Sequence, residues 1–199
     1  MGIPQKGVAY IEVDEYLALE AASQSRHEYL DGVIYAIQGE AARGMAGDSA
    51  AHADLTRNAG FALHAKLRGT PCHVKMSDMR LRIAAVGAVF YPDVLVHCEP
   101  VPVPSSTTEL TAARLVIEVL SPSTQHFDRG AKLLAYQKLQ GLRQIVLLSS
   151  SEEAAWTCAR DDDGEWSPLD AWERGTGLAM PSLGLALTWD EVYGGVGLD

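Results

Sequence analysis

Helical and extended patterns of apolar residues follow one another along the chain. Residues 13–20 carry apolar side chains at helical spacing and predict a first helix, and residues 49–68 predict the longest helix. Asp48 or Ser49 is available as the N-cap of the long helix, and Gly69 is placed to close it.

Segments rich in β-branched or alternating residues predict strands. The turn signal Asp31-Gly32 is followed by VIYAI, which predicts a strand or a hairpin. After Pro71 the chain predicts three more strands, at residues 72–77, 78–84 and 92–98. We interpret residues 87–91 as a connection, and residues 99–110, rich in Pro, Ser and Thr, as a long exposed loop.

The most apolar run is Leu115–Leu120, in which five of six residues are aliphatic. This composition predicts a strand that is buried on both faces. A loop follows, then a helix that Ser123 or Thr124 would cap and Gly141 would end, and then an apolar strand at residues 143–150. Strand, helix and strand at this spacing predict a right-handed parallel crossover.

The rest of the chain predicts a hairpin within residues 153–170 and a short terminal helix at residues 188–196. Together the segments predict an α/β fold of the mixed α+β kind, with a mixed central sheet flanked by helices. The length of 199 residues and the hydrophobic fraction of 47% are ordinary for one globular domain, which we expect to span residues 1–199.

Glu118 is a carboxylate in the middle of the apolar strand. Burying it ionised and without a partner would cost on the order of several kcal/mol. If the strand at residues 92–98 is its neighbour, Asp93 and Glu118 converge, and two convergent carboxylates suit Mg²⁺ or Mn²⁺. The alternatives are a Glu118 neutralised by an arginine or a backbone cap, and an Asp93 that only begins a strand or makes a turn.

Lys132 shares a stripe of the following predicted helix with core-facing residues. On a wheel of about 100° per residue, the stripe contains Asp128, Lys132, Ala135, Tyr136 and Leu139. The lysine stem can pack against the sheet while the ammonium reaches toward the carboxylates. The alternatives are a lysine that only pairs with Asp128 four residues earlier and a Tyr136 that only packs.

Three segments, YPDVLV, LVIEVLSPST and FDRGAKLLAYQ, are preceded by HEYLDGVIY and by the lone His52 at the start of the long helix. In this order and spacing they resemble the Uma-type restriction endonuclease family, which is similar in fold to the PD-(D/E)XK nucleases. The resemblance covers residues 13–148. It implies a restriction-endonuclease-like core there and leaves an acidic extension at residues 152–199.

The resemblance implies roles for individual residues. Asp93 corresponds to the PD aspartate and Glu118 to the second metal ligand, and the backbone carbonyl of Val119 is a further expected ligand. Position 120, where nucleases of this fold usually keep a lysine, is leucine in this chain. In the Uma-type family the lysine stands on the next helix, where this chain has Lys132.

Three more positions match the family pattern. Glu28, in the E-Y-x-D-G segment, is expected to complete the acidic cluster as a catalytic residue and metal ligand, as helix-borne glutamates do in this fold. His52 and Asp78 match without an assigned role.

The activity implied is hydrolysis of DNA phosphodiesters with Mg²⁺ or Mn²⁺, where the ion lowers the pKa of a bound water and polarises the phosphate. Lys132 would orient that water or stabilise the transition state. A homodimer is also implied, since cutting two strands is commonly shared between two copies. The alternative is a catalytically silent nucleic-acid-binding or protein-interaction module, which the absence of a dense Lys/Arg patch keeps open.

The net charge of −10 changes this picture little. From Glu152 onward there are 11 acidic residues beside only Arg160 and Arg174, whereas residues 1–151 hold 15 acidic and 14 basic ones. Because the body of the chain is nearly neutral, the charge does not exclude a polyanionic partner.

No run approaches the roughly 18 apolar residues of a membrane span, and the N-terminus lacks the features of a signal peptide. We therefore expect a cytoplasmic protein without a membrane partner. The three cysteines are too few for a disulfide framework. Cys72-His73 and His97-Cys98 can each offer only one ligand to a shared zinc, because strand neighbours face opposite ways, so we interpret them as ordinary part-buried residues.

Overall fold

The computed structural model of the chain describes residues 10–37, 49–98 and 103–198. The helices in these ranges are α1 (Val13–Ala22), α2 (Ala50–Lys66), α3 (Gln125–Phe127), α4 (Leu133–Tyr136) and α5 (Trp189–Tyr193). The strands are β1 (His27–Leu30), β2 (Val33–Ala36), β3 (Cys72–Met76), β4 (Arg80–Ile83), β5 (Ala88–Phe90), β6 (Val94–Cys98), β7 (Glu109–Leu110), β8 (Leu115–Leu120), β9 (Gln144–Ser149), β10 (Ala155–Ala159), β11 (Asp170–Ala171), β12 (Leu178–Met180) and β13 (Leu185–Leu187).

The strands form two large sheets and one hairpin. One sheet has the order β2-β1-β5-β4-β7, the other has the order β11-β10-β9-β8-β6-β3, and β12 pairs with β13. In the second sheet β8 lies between β9, to which it is parallel, and β6, to which it is antiparallel. The predicted mixed fold is therefore confirmed, and the strand that carries Glu118 lies inside its largest sheet.

Both faces of β8 are covered, as predicted. Leu115, Ile117 and Val119 pack into a core cluster with residues of α2 and α5. Val116 and Leu120 pack on the other face, into a cluster with residues of α4. Because all six residues of β8 are buried, a charged side chain on this strand can have no solvent partner and must find one inside the protein.

The long helix α2 begins where the sequence predicts. The Ser49 hydroxyl caps it by accepting a hydrogen bond from the backbone N–H of His52 at 3.2 Å. The helix ends at Lys66, and Gly69, with φ at +81°, turns the chain toward β3. The cap fixes the first turn of α2, on which His52 stands.

The helical segment after β8 differs from the regular helix that the sequence predicts. A π-helical turn at Asp128–Lys132 separates α3 from α4, and Gly130 interrupts it with φ and ψ both at −106°. The segment ends at Tyr136, short of Gly141, and the hydroxyl of Thr124 makes no cap bond. The predicted stripe is nevertheless buried in full. A π turn of this kind is frequent at functional sites.

Two parts of the first sheet were not predicted. Residues 87–91 were interpreted as a connection, but Ala88–Phe90 is strand β5 and pairs with both β1 and β4. The predicted exposed loop ends in the two-residue strand β7, which pairs with β4, while residues 99–102 lie outside the described ranges. Strands of two or three residues are too short to show an alternating pattern.

The C-terminal region follows the prediction with one addition. β10 and β11 form the predicted hairpin. α5 is the predicted terminal helix, and a capping box between Thr188 and Glu191 stands at its N-terminus. The β12-β13 hairpin between them was not predicted from the sequence. In the described ranges no helix has both the length and the apolar character that a bilayer crossing requires.

Cys72 and Cys98 form a disulfide, which corrects the expectation that they are ordinary part-buried residues. β3 and β6 pair so that Cys72 lies opposite Cys98 and His73 opposite His97. Adjacent residues do face opposite ways, but the pairing brings the two cysteines together on one face of the sheet. No zinc ligand group results, since the thiols are bonded to each other.

The third cysteine gives a direct test of this pairing. Burial raises the pKa of the Cys158 thiol to about 11, so the folded protein should not react with Ellman's reagent. We expect one reactive thiol per chain in denaturant without reductant, none in a Cys158→Ser variant, and three in the parent chain after reduction. Three thiols before reduction would contradict the disulfide.

Candidate active site

Asp93 is the first corner of the site and lies directly before β6. Its Oδ2 accepts a hydrogen bond from the backbone N–H of Val119 at 2.7 Å. Since Val119 follows Glu118 on β8, this bond holds the Asp93 carboxylate close to Glu118. The predicted pairing of the two strands is confirmed.

Glu118 and Lys132 form the buried centre of the site. Lys132 Nζ lies 3.0 Å from Glu118 Oε1, and the Tyr136 hydroxyl donates a hydrogen bond to the same oxygen at 2.5 Å. Lys132 Nζ also lies 2.8 Å from Glu28 Oε1 and 3.7 Å from Asp128 Oδ1. One ammonium therefore lies close to three buried carboxylates.

The charges in this cluster shift one another's pKa. Burial raises the pKa of Glu118 well above its usual range, Lys132 opposes the rise, and Asp93, Asp128 and Glu28 add to it. Burial alone would lower the pKa of Lys132, but Glu118, Glu28 and Asp128 outweigh it and raise that pKa well above normal. The raised pKa of Lys132 follows from the carboxylates around it, whereas that of Glu118 follows first from burial and then from the neighbouring carboxylates. The lysine therefore stays charged, and the carboxylates favour a proton or a second cation.

Glu28 lies in this cluster but not on a helix. It belongs to β1, whereas the glutamates of this fold with which it was compared stand on a helix. Its Oε1 accepts the backbone N–H of Tyr91 at 3.1 Å, besides its contact with Lys132. Burial is the first cause that raises the pKa of Glu28, and the Lys132 charge opposes it. The E-Y-x-D-G segment is thus part of the β1-β2 hairpin, which places Glu28 beside the Lys132 ammonium.

His52 lies on the other side of Asp93. Its Nε2 is 3.4 Å from Asp93 Oδ2, and its side chain is mostly buried. A cleft of about 270 Å³ opens beside this pair, lined by His52, Ala53, Thr56, Arg57, Met76, Ser77 and Asp93. Asp93 thus stands between the buried cluster and an open cleft. The position of His52 at the start of α2 was the sequence signal that this helix reaches the site.

Comparisons with known proteins show the family of the chain and its fold. The profile of the Uma2 family, described as a putative restriction endonuclease, matches residues 13–190. The chain belongs to the Uma2 family. The resemblance seen in the sequence is therefore confirmed.

Two relatives and one solved structure resemble this Uma2 chain. The uncharacterized protein slr1290 of Synechocystis is 33% identical over 183 residues, which cover 92% of this chain and 91% of the relative. The uncharacterized protein sll1609 of Synechocystis is 34% identical over 135 residues, covering 67% of this chain and 72% of the relative. The crystal structure of a putative nuclease belonging to DUF820, from Anabaena variabilis, is 19% identical. It matches with a TM-score of 0.70 over 92% of this chain and 97% of that one, which shows a shared fold.

The other predicted positions of the Uma2 chain lie differently. Asp78 is outside the cluster, with 86% of its side chain exposed and Arg26 at 2.6 Å. Val119 enters the site through its N–H, and the use of its carbonyl as a metal ligand stays a prediction. Thr56 and Ser77, which line the cleft, were not singled out from the sequence.

The donor set of this Uma2 site suits a hard cation that keeps most of its water. Within the described ranges, no group of three or more His, Cys, Asp or Glu side chains is arranged to hold a metal ion. Mg²⁺, however, commonly takes only one or two carboxylates and fills its other positions with water and substrate oxygens. Asp93, whose side chain is 18% exposed at the cleft, and Glu118 behind it provide such a pair.

Proposed function

We propose that this Uma2 chain hydrolyses DNA phosphodiester bonds with Mg²⁺ or Mn²⁺, held by Asp93 and Glu118. The observation that carries the proposal is the 3.0 Å contact between Lys132 Nζ and Glu118 Oε1. Asp93 lies beside it and accepts a hydrogen bond from the backbone N–H of Val119, the next residue of β8. Two carboxylates and a lysine on adjoining strands and the next helix are the set that the family resemblance implies.

The residues would divide the work as follows. A bound divalent ion would lower the pKa of its water ligand and polarise the phosphate. Asp93 and Glu118 hold that ion, with the predicted carbonyl of Val119 as a further ligand. Lys132 would keep its proton, and its charge would oppose protonation of Glu118 and orient that carboxylate.

Lys132 is first a positioning residue in this arrangement. Only 5% of its side chain is exposed, and Glu28 lies 2.8 Å from its Nζ. The water-orienting or transition-state contact expected from the sequence therefore requires Glu28 to move aside. We assign Glu28 as the group that holds Lys132 in place, and its predicted role as a direct metal ligand is the alternative.

Metal binding tests the site directly. Wild type should bind Mn²⁺ in a calorimetric titration, and Glu118→Gln should lose at least about tenfold in affinity, since one of two carboxylate ligands is removed. Glu165→Gln, a matched change in an exposed turn, should bind like wild type. Equal binding by Glu118→Gln and wild type would remove the metal assignment.

Metal binding without cleavage would favour the silent module over the nuclease. The remaining expectations are also proposals: a DNA substrate, a homodimer, a single domain over residues 1–199 and a cytoplasmic location. Sedimentation tests the homodimer. The Cys72–Cys98 disulfide is a feature uncommon in the cytoplasm.

A further inference from the structure

The cleft beside Asp93 contains polar groups that the proposed hydrolysis does not use. Thr56 and Arg57 come from the first half of α2, and Ser77 comes from the turn after β3. These residues lie on the α2 side of the sheet, away from the cluster around Lys132. Each must therefore be explained by something other than the buried carboxylates.

Thr56 carries a hydroxyl that the described part of the chain leaves without a hydrogen-bond partner. Only 9% of the residue is exposed, so water does not compensate the oxygen. A buried hydroxyl without a partner destabilises a fold. Thr56 also lines the cleft, so a group bound there lies beside this residue.

Ser77 holds a backbone conformation that its side chain disfavours. Its φ is +52°, in the left-handed region, which is unfavourable for a residue with a Cβ. The surrounding structure fixes it there: Ser77 N–H donates to Asp93 O at 3.1 Å, and Arg26 donates to Ser77 O at 3.1 Å. Residues held in such conformations cluster at ligand sites.

Arg57 adds a cation to the same wall. Its side chain is half exposed, and Asp54, 2.6 Å away, fixes it on the α2 surface. Two hydroxyls and a guanidinium on one cleft form a set of donors, which suits an anion with several acceptor oxygens. The Asp93 carboxylate at the edge of the cleft would repel such an anion unless a cation neutralises it, so the anion and the metal are expected side by side.

We propose that this cleft binds a phosphodiester group of the nucleic-acid strand, next to the bond that is cleaved, through Thr56, Ser77 and Arg57. The proposal rests on the proposed nuclease function and names the part of the chain that positions the substrate. It treats these residues as binding groups, and it assigns the chemistry to Asp93 and Glu118 alone.

The test measures binding without turnover. A fluorescein-labelled single-stranded oligonucleotide is titrated with Ca²⁺ in place of Mg²⁺, so that a cation can neutralise Asp93 while cleavage is suppressed, and the melting temperature of each variant is recorded. Arg57→Gln should weaken binding about tenfold, as expected for one charged hydrogen-bonding contact. Arg68→Gln, the same change in the exposed turn after α2, should leave binding within about twofold.

Matched substitutions at Thr56 and Ser77 distinguish a binding role of each hydroxyl from a structural role. Thr56→Val removes the hydroxyl at constant shape and should weaken binding severalfold while the melting temperature stays or rises. Ser77→Gly and Ser77→Ala should weaken binding equally, whereas only the glycine variant should gain melting temperature. A function of the Ser77 backbone alone would instead leave Ser77→Ala with wild-type binding.

The outcomes separate this inference from the nuclease proposal. Wild-type binding by the variants at all three cleft positions, together with loss of cleavage in Asp93→Asn, would overturn the cleft assignment and leave the nuclease intact. A Thr56→Val variant that melts much earlier would also overturn it, because the hydroxyl would then be structural. A wild type that neither binds nor cleaves would remove both proposals.

Discussion

Lys132→Met should lower the free energy of unfolding by about 3–5 kcal/mol at neutral pH, the usual result of removing one partner from a buried ionic group. In wild type the ammonium lies within 3.0 Å of both Glu28 and Glu118. Methionine fills nearly the same volume but leaves those buried carboxylates without a cation. Chemical denaturation followed by circular dichroism measures the loss.

The loss should depend on pH with a definite sign. Burial raises the pKa of Glu118 and of Glu28, and Lys132→Met removes the cation that most strongly opposes that rise. A carboxyl with a raised pKa in the folded state binds more protons when folded, so stability falls as pH rises from the ordinary carboxyl range through the raised pKa. Lys132→Met should therefore approach wild-type stability near pH 4 and lose it toward pH 8.

Two variants control this result. Lys138→Met makes the same change at an exposed position close by and should be nearly neutral at every pH. Lys132→Met combined with Glu118→Gln should recover part of the loss, because one unpaired charge is removed with its partner. A Lys132→Met variant as stable as Lys138→Met at pH 8 would contradict the buried cluster.

The contacts at the centre of the site could be predicted from the sequence, because each residue involved conflicts with the apolar pattern around it. Glu118 interrupts an apolar strand, and Lys132 interrupts an apolar helix stripe, so each signalled a missing partner. The contact between them needed only strand alternation and a short crossover. The π turn changes the regular helix but keeps Lys132 on the buried side, so the stripe was right although the helix geometry was not.

Other features depend on pairings between distant segments, which local patterns do not encode. The Cys72–Cys98 disulfide requires the register of β3 against β6, and the placement of Glu28 requires the contact of β1 with the chain around Tyr91. Thr56 and Ser77 look like ordinary polar residues in the sequence. Only coordinates reveal an unsatisfied hydroxyl or a positive φ.

Asp93→Asn should reduce Mg²⁺-dependent DNA cleavage by roughly 10²–10⁴-fold, the range seen when one electrostatic catalytic group is lost. Asparagine has nearly the same shape, and its carbonyl oxygen can still accept the Val119 N–H. What it lacks is the charge that we propose binds the cation at the cleft. Plasmid nicking and cleavage of a single-stranded oligonucleotide, both with excess Mg²⁺, measure the rate.

Stability is the control that gives this result its meaning. Because the Val119 hydrogen bond is retained, Asp93→Asn should unfold within about 1 kcal/mol of wild type, as conservative changes at part-exposed sites do. Asp163→Asn, in an exposed turn, should match wild type in both stability and rate. An Asp93→Asn variant that cleaves normally would contradict a ligand role. One that unfolds as easily as Lys132→Met would make Asp93 a structural anchor of β6 on β8.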